Sequence, residues 1–126
     1  MLIPENLRYT KNHEWIRADG NNGYVGITDY AQTELGDIVF VEIETENELL
    51  EKEEVFGTIE AVKTVSDMFM PVGGKIMKVN PNLEDHPEIV NKDPYGEGWM
   101  VQIAIQDTSE IDQLLSASQY KDLINA

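Results

Sequence analysis

One lysine stands out among the side chains that could take part in chemistry, because it lies between two carboxylates. The segment GTIEAVKTVSD (residues 57–67) places Lys63 three residues after Glu60 and four before Asp67. The chain contains only nine basic residues against 24 acidic ones, so a basic residue in this position is uncommon. Lys63 has three potential uses: an ordinary turn residue, a nucleophile, or a site of covalent modification.

The neighbours of Lys63 disfavour a role as a nucleophile. An amine attacks a carbonyl only when uncharged, which requires desolvation or nearby positive charge to lower its pKa. Glu60 and Asp67, if close in space, favour the charged ammonium instead. Modification by another enzyme requires only an exposed lysine on a stiff turn, and the β-branched residues around Lys63 favour extended backbone. By spacing alone an ordinary turn residue is the commoner case, so the modification hypothesis needs further support.

The remaining side chains do not form a recognisable enzyme site. The chain has two histidines and no cysteine, which excludes disulfides and cysteine nucleophiles and argues against zinc. His13-Glu14 begins like the zinc-protease motif HExxH, but Arg17 replaces its second histidine. No calcium loop, phosphate-binding loop or serine-hydrolase motif is present. We therefore predict a protein without a catalytic residue or metal site of its own.

Charge and hydropathy narrow the range of partners. The formal net charge of −15 argues against nucleic acid and anionic membranes, which bind clustered Lys and Arg. No run approaches the roughly 20 apolar residues of a membrane span, and the first residues resemble neither a signal nor a transit peptide. We expect a cytoplasmic protein that is monomeric in solution. Its charge serves solubility and can steer it to basic patches on protein partners.

Short segments rich in β-branched and aromatic residues predict a mostly-β fold. The predicted strands are Tyr24–Ile27, Val39–Glu44, Val55–Ile59, Val65–Met70, Lys75–Val79 and Trp99–Ile105. Their spacing is typical of a sandwich or a partly closed barrel rather than of βαβ units. A weak repeat, G-x-I-x-x-V, occurs at 36–41 and 74–79 on either side of Lys63, which is consistent with two related halves.

Two helical segments and one long loop interrupt the strands. Thr28 is a plausible N-cap for a helix that Gly36 ends. In the tail, Ser109 followed by Asp112 resembles a capping box, which predicts a helical segment over about 109–125. The polar, Pro- and Gly-rich stretch Asn80–Gly98 predicts a surface loop with little regular structure. We expect residues 1–126 to form a single domain.

The segment around Lys63 resembles the lipoylation segment of the glycine cleavage system H proteins, usually written close to ESVKxxSD. The resemblance continues through KNHEW (11–15), GITDYAQTELGDIVFVEI (26–43), PVGGKIMKVNPNLEDHPEIVN (71–91) and DPYGEGWM (93–100), and so covers nearly the whole chain. It implies a lipoyl-carrier domain with the lipoyl/biotinyl-type flattened β-sandwich (barrel-sandwich hybrid). That fold has two antiparallel sheets, a short internal helix and C-terminal helices.

The resemblance also implies roles for individual residues. Lys63 corresponds to the lysine that carries lipoate in amide linkage, as N6-lipoyllysine. Glu60 and Gly74 occupy the positions, three before and eleven after the lysine, that the lipoylating enzyme of such proteins recognises. That enzyme is either a lipoate ligase or an octanoyltransferase.

In relatives, the loaded arm is sheltered in a surface cleft where carboxylates meet its amine. Glu14 and Asp67 match those carboxylates, and carboxylates hold a protonated amine well when water is excluded. Asn12 replaces the serine that is common at its position, although its amide oxygen could still accept a hydrogen bond from the amine. Ala61 and Val65 also depart from the usual Ser and small residue, with no chemical role lost.

The function that the resemblance implies is a non-catalytic carrier. Such a protein takes the aminomethyl group of glycine from glycine decarboxylase (P protein) to the aminomethyltransferase (T protein). It then delivers reducing equivalents to dihydrolipoyl dehydrogenase (L protein). Two alternatives remain: a lipoyl-relay protein that supplies lipoyl groups to other enzymes, and a free-standing lipoyl or biotinyl carrier of another complex. Biotin carriers typically have Met-Lys-Met, whereas Val62 and Thr64 flank the lysine here.

Overall fold

Nine strands and three short α-helices make up the structure, a computed structural model that describes residues 1–126. In chain order they are β1 (Arg8–Tyr9), β2 (Glu14–Asp19), β3 (Asn22–Ile27), α1 (Asp29–Leu35), β4 (Ile38–Glu42), β5 (Leu49–Leu50), β6 (Val55–Ala61), β7 (Val65–Phe69), β8 (Gly74–Val79), α2 (Ile89–Lys92), β9 (Val101–Ile105) and α3 (Ala117–Ile124). Two 3₁₀ helices add Pro81–Leu83 and Thr108–Gln113.

The strands form two antiparallel sheets. One has six strands in the order β1-β2-β3-β9-β8-β5, and the other has three in the order β4-β6-β7. Apolar side chains of both sheets pack into one buried core, which includes Ile16, Val25, Ile76 and Ile103 from the first and Val41, Phe56, Ile59 and Met68 from the second. The two-sheet sandwich with a short internal helix that the sequence predicts is therefore confirmed.

The G-x-I-x-x-V repeat corresponds to two strands with the same irregularity. In β4 the pairing register shifts between Ile38 and Phe40, and in β8 it shifts between Ile76 and Lys78. The bulged strand in each case carries its extra residue directly after the isoleucine of the repeat. Because a bulge bends and twists its strand, the two halves curve around the shared core at matching points.

A second, smaller core lies beneath the C-terminal helix. It contains Ile3, Leu7, Tyr9, Trp15, Ala117 and Tyr120. The rings of Tyr9 and Tyr120 stack with their centroids 4.7 Å apart. This cluster attaches α3 to β1 and β2, the two strands joined by the turn that precedes Glu14. No helix in the structure combines the length and the apolar character needed to cross a membrane.

The predicted start of the C-terminal helix at Ser109 is wrong. Asp107 caps a 3₁₀ helix there, accepting a hydrogen bond from the Ser109 backbone N–H at 3.0 Å. The helix cannot continue because Leu115 is drawn into an isolated bridge with Tyr9 of β1. Helix α3 starts afresh after Ser116, which forms a capping box with Gln119.

Two further sequence predictions need correction. The stretch Asn80–Gly98 is not simply a surface loop, because it contains the 3₁₀ helix and α2, and it buries Leu83 and Val90. The apolar residues of this stretch, Leu83, Ile89, Val90 and Tyr95, do not form a periodic pattern that would reveal these elements. Strand β2 was also missed, because a charged residue, Glu14, is buried at its start and breaks the expected alternation.

Gly74 is a glycine for a packing reason. It begins β8 and pairs with Leu50 and Ile105 in the interior of the six-stranded sheet. A Cβ at this position would lie 2.5 Å from the carbonyl oxygen of Ala104. A Cβ at the neighbouring Gly73 would meet no atom closer than 3.5 Å, an ordinary van der Waals contact. The two adjacent glycines therefore face different constraints.

We expect Gly74→Ala to lower the free energy of unfolding by about 1–3 kcal/mol, the usual effect of forcing a methyl group into a packed region. Gly73→Ala is the matched control and should change it by less than about 1 kcal/mol. Urea unfolding followed by circular dichroism measures both. Equal stabilities of the two variants would contradict this account of Gly74.

Candidate functional site

Lys63 lies at the exposed tip of the β6–β7 hairpin. The Ala61 N–H donates to the Thr64 carbonyl at 2.8 Å and closes the turn. The Val62 N–H donates to the Asp37 carbonyl at 3.1 Å, which attaches the tip to the segment between α1 and β4. No residue of the turn has a positive φ, so the turn requires no glycine. The backbone that presents the lysine is thus held from both sides.

The Lys63 side chain extends beside the C-terminal end of α1. A Cβ at Gly36 would lie 3.5 Å from Lys63 Cε and 3.8 Å from Nζ. Asn91 supports this region: its side-chain amide donates to the Gly36 carbonyl at 2.9 Å, and its amide oxygen accepts from the Ile38 N–H at 2.9 Å. A residue in the supposed surface loop thereby joins the end of the helix to the start of β4.

A groove of about 260 Å³ opens next to this tip. The turn before β2, helix α1 and the edge strand β7 line it. Its apolar lining residues are Ile27, Ala31, Leu35, Ile59 and Met68. Its three carboxylates are Glu14, Glu34 and Asp67. Since Leu35 directly precedes the glycine against which the lysine side chain lies, Lys63 is located at one end of the groove. The groove suits a ligand with an apolar body and a cationic group.

Glu14 is the most buried of these carboxylates, with only 2% of its surface exposed. One carboxylate oxygen, Oε1, accepts from the Thr10 hydroxyl at 2.6 Å. The other, Oε2, accepts from the backbone N–H of Phe69 at 3.2 Å. Phe69 belongs to β7, the edge of the three-stranded sheet, whereas Glu14 begins β2 in the six-stranded sheet. The carboxylate therefore bridges the two sheets at the groove.

Burial changes the acidity of Glu14. Desolvation raises the pKa of its carboxyl to about 7, and the hydrogen bonds from Thr10 and Phe69 only partly offset this effect. The side chain is therefore divided between its neutral and charged forms near neutral pH. A cation that entered the groove would favour the charged form and would be attracted by it in return.

The turn that carries Glu14 is held in an unusual conformation. His13 has φ 69°, in the left-handed region that histidine enters more readily than most residues. Its Nδ1 lies 2.8 Å from the hydroxyl of Tyr120, which in turn lies 2.8 Å from the hydroxyl of Thr28. Thr28 caps α1 by accepting from the Ala31 N–H at 3.1 Å. One tyrosine of the C-terminal helix thus connects the two walls of the groove.

Of the residues singled out in the sequence, the structure brings Glu14, Asp67 and Asn12 together along the groove. Asn12 is exposed at the rim, and its side-chain amide makes no hydrogen bond within the protein. Glu60 lies outside the groove, on the outer face of the three-stranded sheet, and is exposed. Gly74 is buried in the other sheet. The structure contains no group of three or more His, Cys, Asp or Glu residues that could hold a metal ion.

Sequence analysis missed several residues of the groove. Tyr30 and Glu34 are one helical turn apart on α1 and both line it, and this i, i+4 spacing is visible in the sequence. Tyr120 could not be found in this way, because it is 92 positions from Thr28 in the chain. Its ring is fully buried, and the sequence analysis did not single it out.

A two-sheet sandwich that displays one lysine on a braced hairpin, beside a groove lined by apolar and carboxylate side chains, is typical of carrier proteins with a covalently attached cofactor. Comparison with known proteins specifies the class further. The family model described as "Glycine cleavage H-protein" matches residues 7–126. The chain belongs to this family.

Individual relatives agree with the family match. The chain is 58% identical over 126 residues to the glycine cleavage system H protein of Bacteroides fragilis, with 100% of each chain covered. It is also 58% identical over 126 residues to that of Chlorobium limicola, with 98% of each covered. The crystal structure of the H protein from Mycobacterium marinum superimposes with a TM-score of 0.89 at 37% identity, covering 98% of this chain and 100% of that one.

Membership assigns the general function. Glycine cleavage H proteins are non-catalytic carriers with covalently bound lipoate, and this chain is such a lipoylated carrier. It interacts with the enzymes of the glycine cleavage system.

The raised pKa of Glu14 predicts a pH dependence of stability. Because the folded protein binds this proton more tightly than the unfolded chain, rising pH removes stability between the ordinary pKa of 4.5 and the folded value of about 7. Glu14→Gln mimics the protonated form and lacks this titration. We expect the free energy of unfolding of the variant, relative to the parent, to increase by about 2–3 kcal/mol from pH 5 to pH 8.

Urea unfolding of both proteins across this pH range measures the difference, and the comparison cancels the other titrating groups. The range stays above the calculated isoelectric point of about 4.2. A constant difference between parent and variant would show that Glu14 has an ordinary pKa.

Proposed function

We propose that Lys63 carries the lipoyl group, in amide linkage through Nζ, and that residues 1–126 act together as one lipoyl-carrier domain. The observation that carries this proposal is the location of an exposed lysine on a braced turn at one end of the groove. The Lys63 side chain makes no ion pair or hydrogen bond within the protein, so modification disrupts no existing polar contact. Its exposure leaves Nζ accessible to an acylating enzyme.

Lipoate supplies the dithiolane that accepts the aminomethyl group from glycine and later releases reducing equivalents. The protein's own residues have a different task in this proposal. The apolar side chains of Ile27, Leu35 and Met68 shield the arm from water, and Glu14 and Asp67 bind the protonated amine of its cargo. In so buried a position, an ammonium group lowers the pKa of Glu14 again, and the resulting charged pair is stronger than one in water.

In this proposal Asn12 contributes one further hydrogen bond to the cargo. Its free side-chain amide at the rim is in position for its oxygen to accept a hydrogen bond from the same ammonium group. By contrast, we assign Glu60 to recognition by the lipoylating enzyme, because its carboxylate is exposed on the same hairpin as the lysine and makes no hydrogen bond in the protein. Gly74 is buried in the other sheet, so we propose that it affects lipoylation by preserving the fold.

The partners of the loaded and reduced arm are, in this proposal, the P, T and L proteins of the glycine cleavage system. A lipoate ligase or octanoyltransferase attaches the cofactor beforehand. The bacterial relatives from Bacteroides fragilis and Chlorobium limicola match this chain over 100% and 98% of its length. We assign the protein to the cytoplasm, in keeping with its bacterial relatives.

The lysine assignment is tested by intact-mass spectrometry after incubation of the purified protein with lipoate, ATP and a lipoate ligase. We expect one lipoyl adduct on the parent protein and none on Lys63→Arg, which keeps the positive charge but cannot be acylated. An adduct that persists on the variant would place the cofactor elsewhere, and no adduct on the parent would refute lipoylation of this chain.

The groove assignment is tested by the lifetime of the loaded carrier. Glu14→Gln should leave the lipoylation rate unchanged but release the aminomethyl cargo about tenfold faster, because a hydrogen bond to a charged group is lost. Glu44→Gln, at an exposed position outside the groove, is the control for removal of one negative charge. Equal lifetimes in the two variants would mean that Glu14 does not hold the cargo.

A further inference from the structure

The outer face of the three-stranded sheet has an unusual row of side chains next to the lysine. In the pairing register, Phe40 of β4 lies opposite Glu60 of β6, which lies opposite Val65 of β7. Directly opposed residues of antiparallel strands share a face, so these three side chains project side by side. Strands are spaced about 4.8 Å apart, and the row therefore extends only about 10 Å.

Two members of this row are apolar side chains in contact with solvent. Phe40 is 45% exposed and Val65 is 62% exposed, and Val62 at the hairpin tip is 75% exposed. Core packing does not account for apolar side chains at these positions, because the core is formed by other residues of the same strands, on the opposite face of the sheet. Exposed apolar side chains clustered around a lysine that is to be acylated are typical of an interaction surface.

The charged side chains of the three strands are all acidic. The next row of the sheet brings together Glu42, Thr58 and Asp67, and strands β4, β6 and β7 contain no lysine or arginine. The carboxylate of Glu60 lies between the two apolar side chains without a partner. A complementary surface needs an apolar centre with basic residues around it.

The chemistry at Lys63 restricts which protein must contact this face. During acylation, Nζ loses a proton and attacks the activated carboxyl carbon of lipoyl-adenylate. An amide bond forms and AMP leaves. The active site of the ligase must therefore reach Nζ itself, which brings its surface onto the adjoining strands. Enzymes that act on the dithiolane meet the far end of a long arm and have no need to cover this row.

We propose that Phe40, Val62 and Val65, together with Glu60, form the docking surface for the lipoylating enzyme, whose matching surface is an apolar socket rimmed by Arg or Lys. The inference rests on the proposed attachment of lipoate to Lys63. A second copy of this chain is a poor occupant, because the acidic residues around the patch would face their own copies and the chain has a net charge of −15.

The test measures kcat/KM for lipoylation by a lipoate ligase with lipoate and ATP. The double variant Phe40→Thr/Val65→Thr removes the apolar row but keeps residues suited to exposed strands. The control, Leu49→Thr/Met77→Thr, makes the same kind of change on the six-stranded sheet, where these residues are 61% and 46% exposed. Circular dichroism and urea unfolding establish that both variants are folded.

We expect the Phe40/Val65 double variant to lose about tenfold in kcat/KM, mainly through KM, and the control to change by less than about twofold. Lipoylation of the double variant at the parent rate would overturn the docking surface while leaving the lysine assignment intact. Equal losses in both variants would also overturn it, since the effect would not be specific to this face. Failure of the parent protein to become lipoylated would instead refute the proposed function.

Discussion

The bridge made by the buried Glu14 carboxylate is the interaction on which the geometry of the groove depends. It accepts a hydrogen bond from Thr10 on its own side and from the backbone of Phe69 on the facing edge strand. An edge strand with free N–H groups is otherwise a site for unwanted pairing, and the carboxylate satisfies one of these donors. The same group costs desolvation energy, which is why its pKa rises to about 7. The neutral form of the Glu14 side chain therefore favours stability of the fold, whereas the charged form favours binding of the cationic cargo that we propose.

Hydrogen bonds hold both the hairpin that carries Lys63 and the walls of the groove. The hairpin tip is braced by backbone hydrogen bonds to its own turn and to Asp37, and Asn91 holds the neighbouring end of α1. On the other side, Tyr120 joins the turn at His13 to the cap of the same helix. These hydrogen bonds hold the groove walls and the backbone around Lys63. In the proposed function, the arm docks into a groove that is already formed, which reduces the entropy lost on docking.

The sequence predicted local features well and distant relationships poorly. The caps of α1 at Thr28 and Gly36 are confirmed, because capping depends on residues a few positions apart. The start of the C-terminal helix was misplaced, since the pairing of Leu115 with Tyr9 is a contact between opposite ends of the chain. The resemblance indicated Glu14 for the groove, but neither its burial nor its bridge to β7 follows from local pattern. Tyr120 escaped for the same reason: its role depends on three segments that meet only in the folded protein.

We propose that the chain acts through a lipoyl group on Lys63 and has no catalysis of its own. The most direct measurement is the exchange of labelled bicarbonate into glycine by purified P protein, with lipoylated and unmodified carrier compared at equal concentration. We expect the lipoylated protein to support exchange, whereas the unmodified protein and lipoylation-treated Lys63→Arg remain at the background rate. Exchange that is equally fast with the modified and unmodified protein would contradict this proposal.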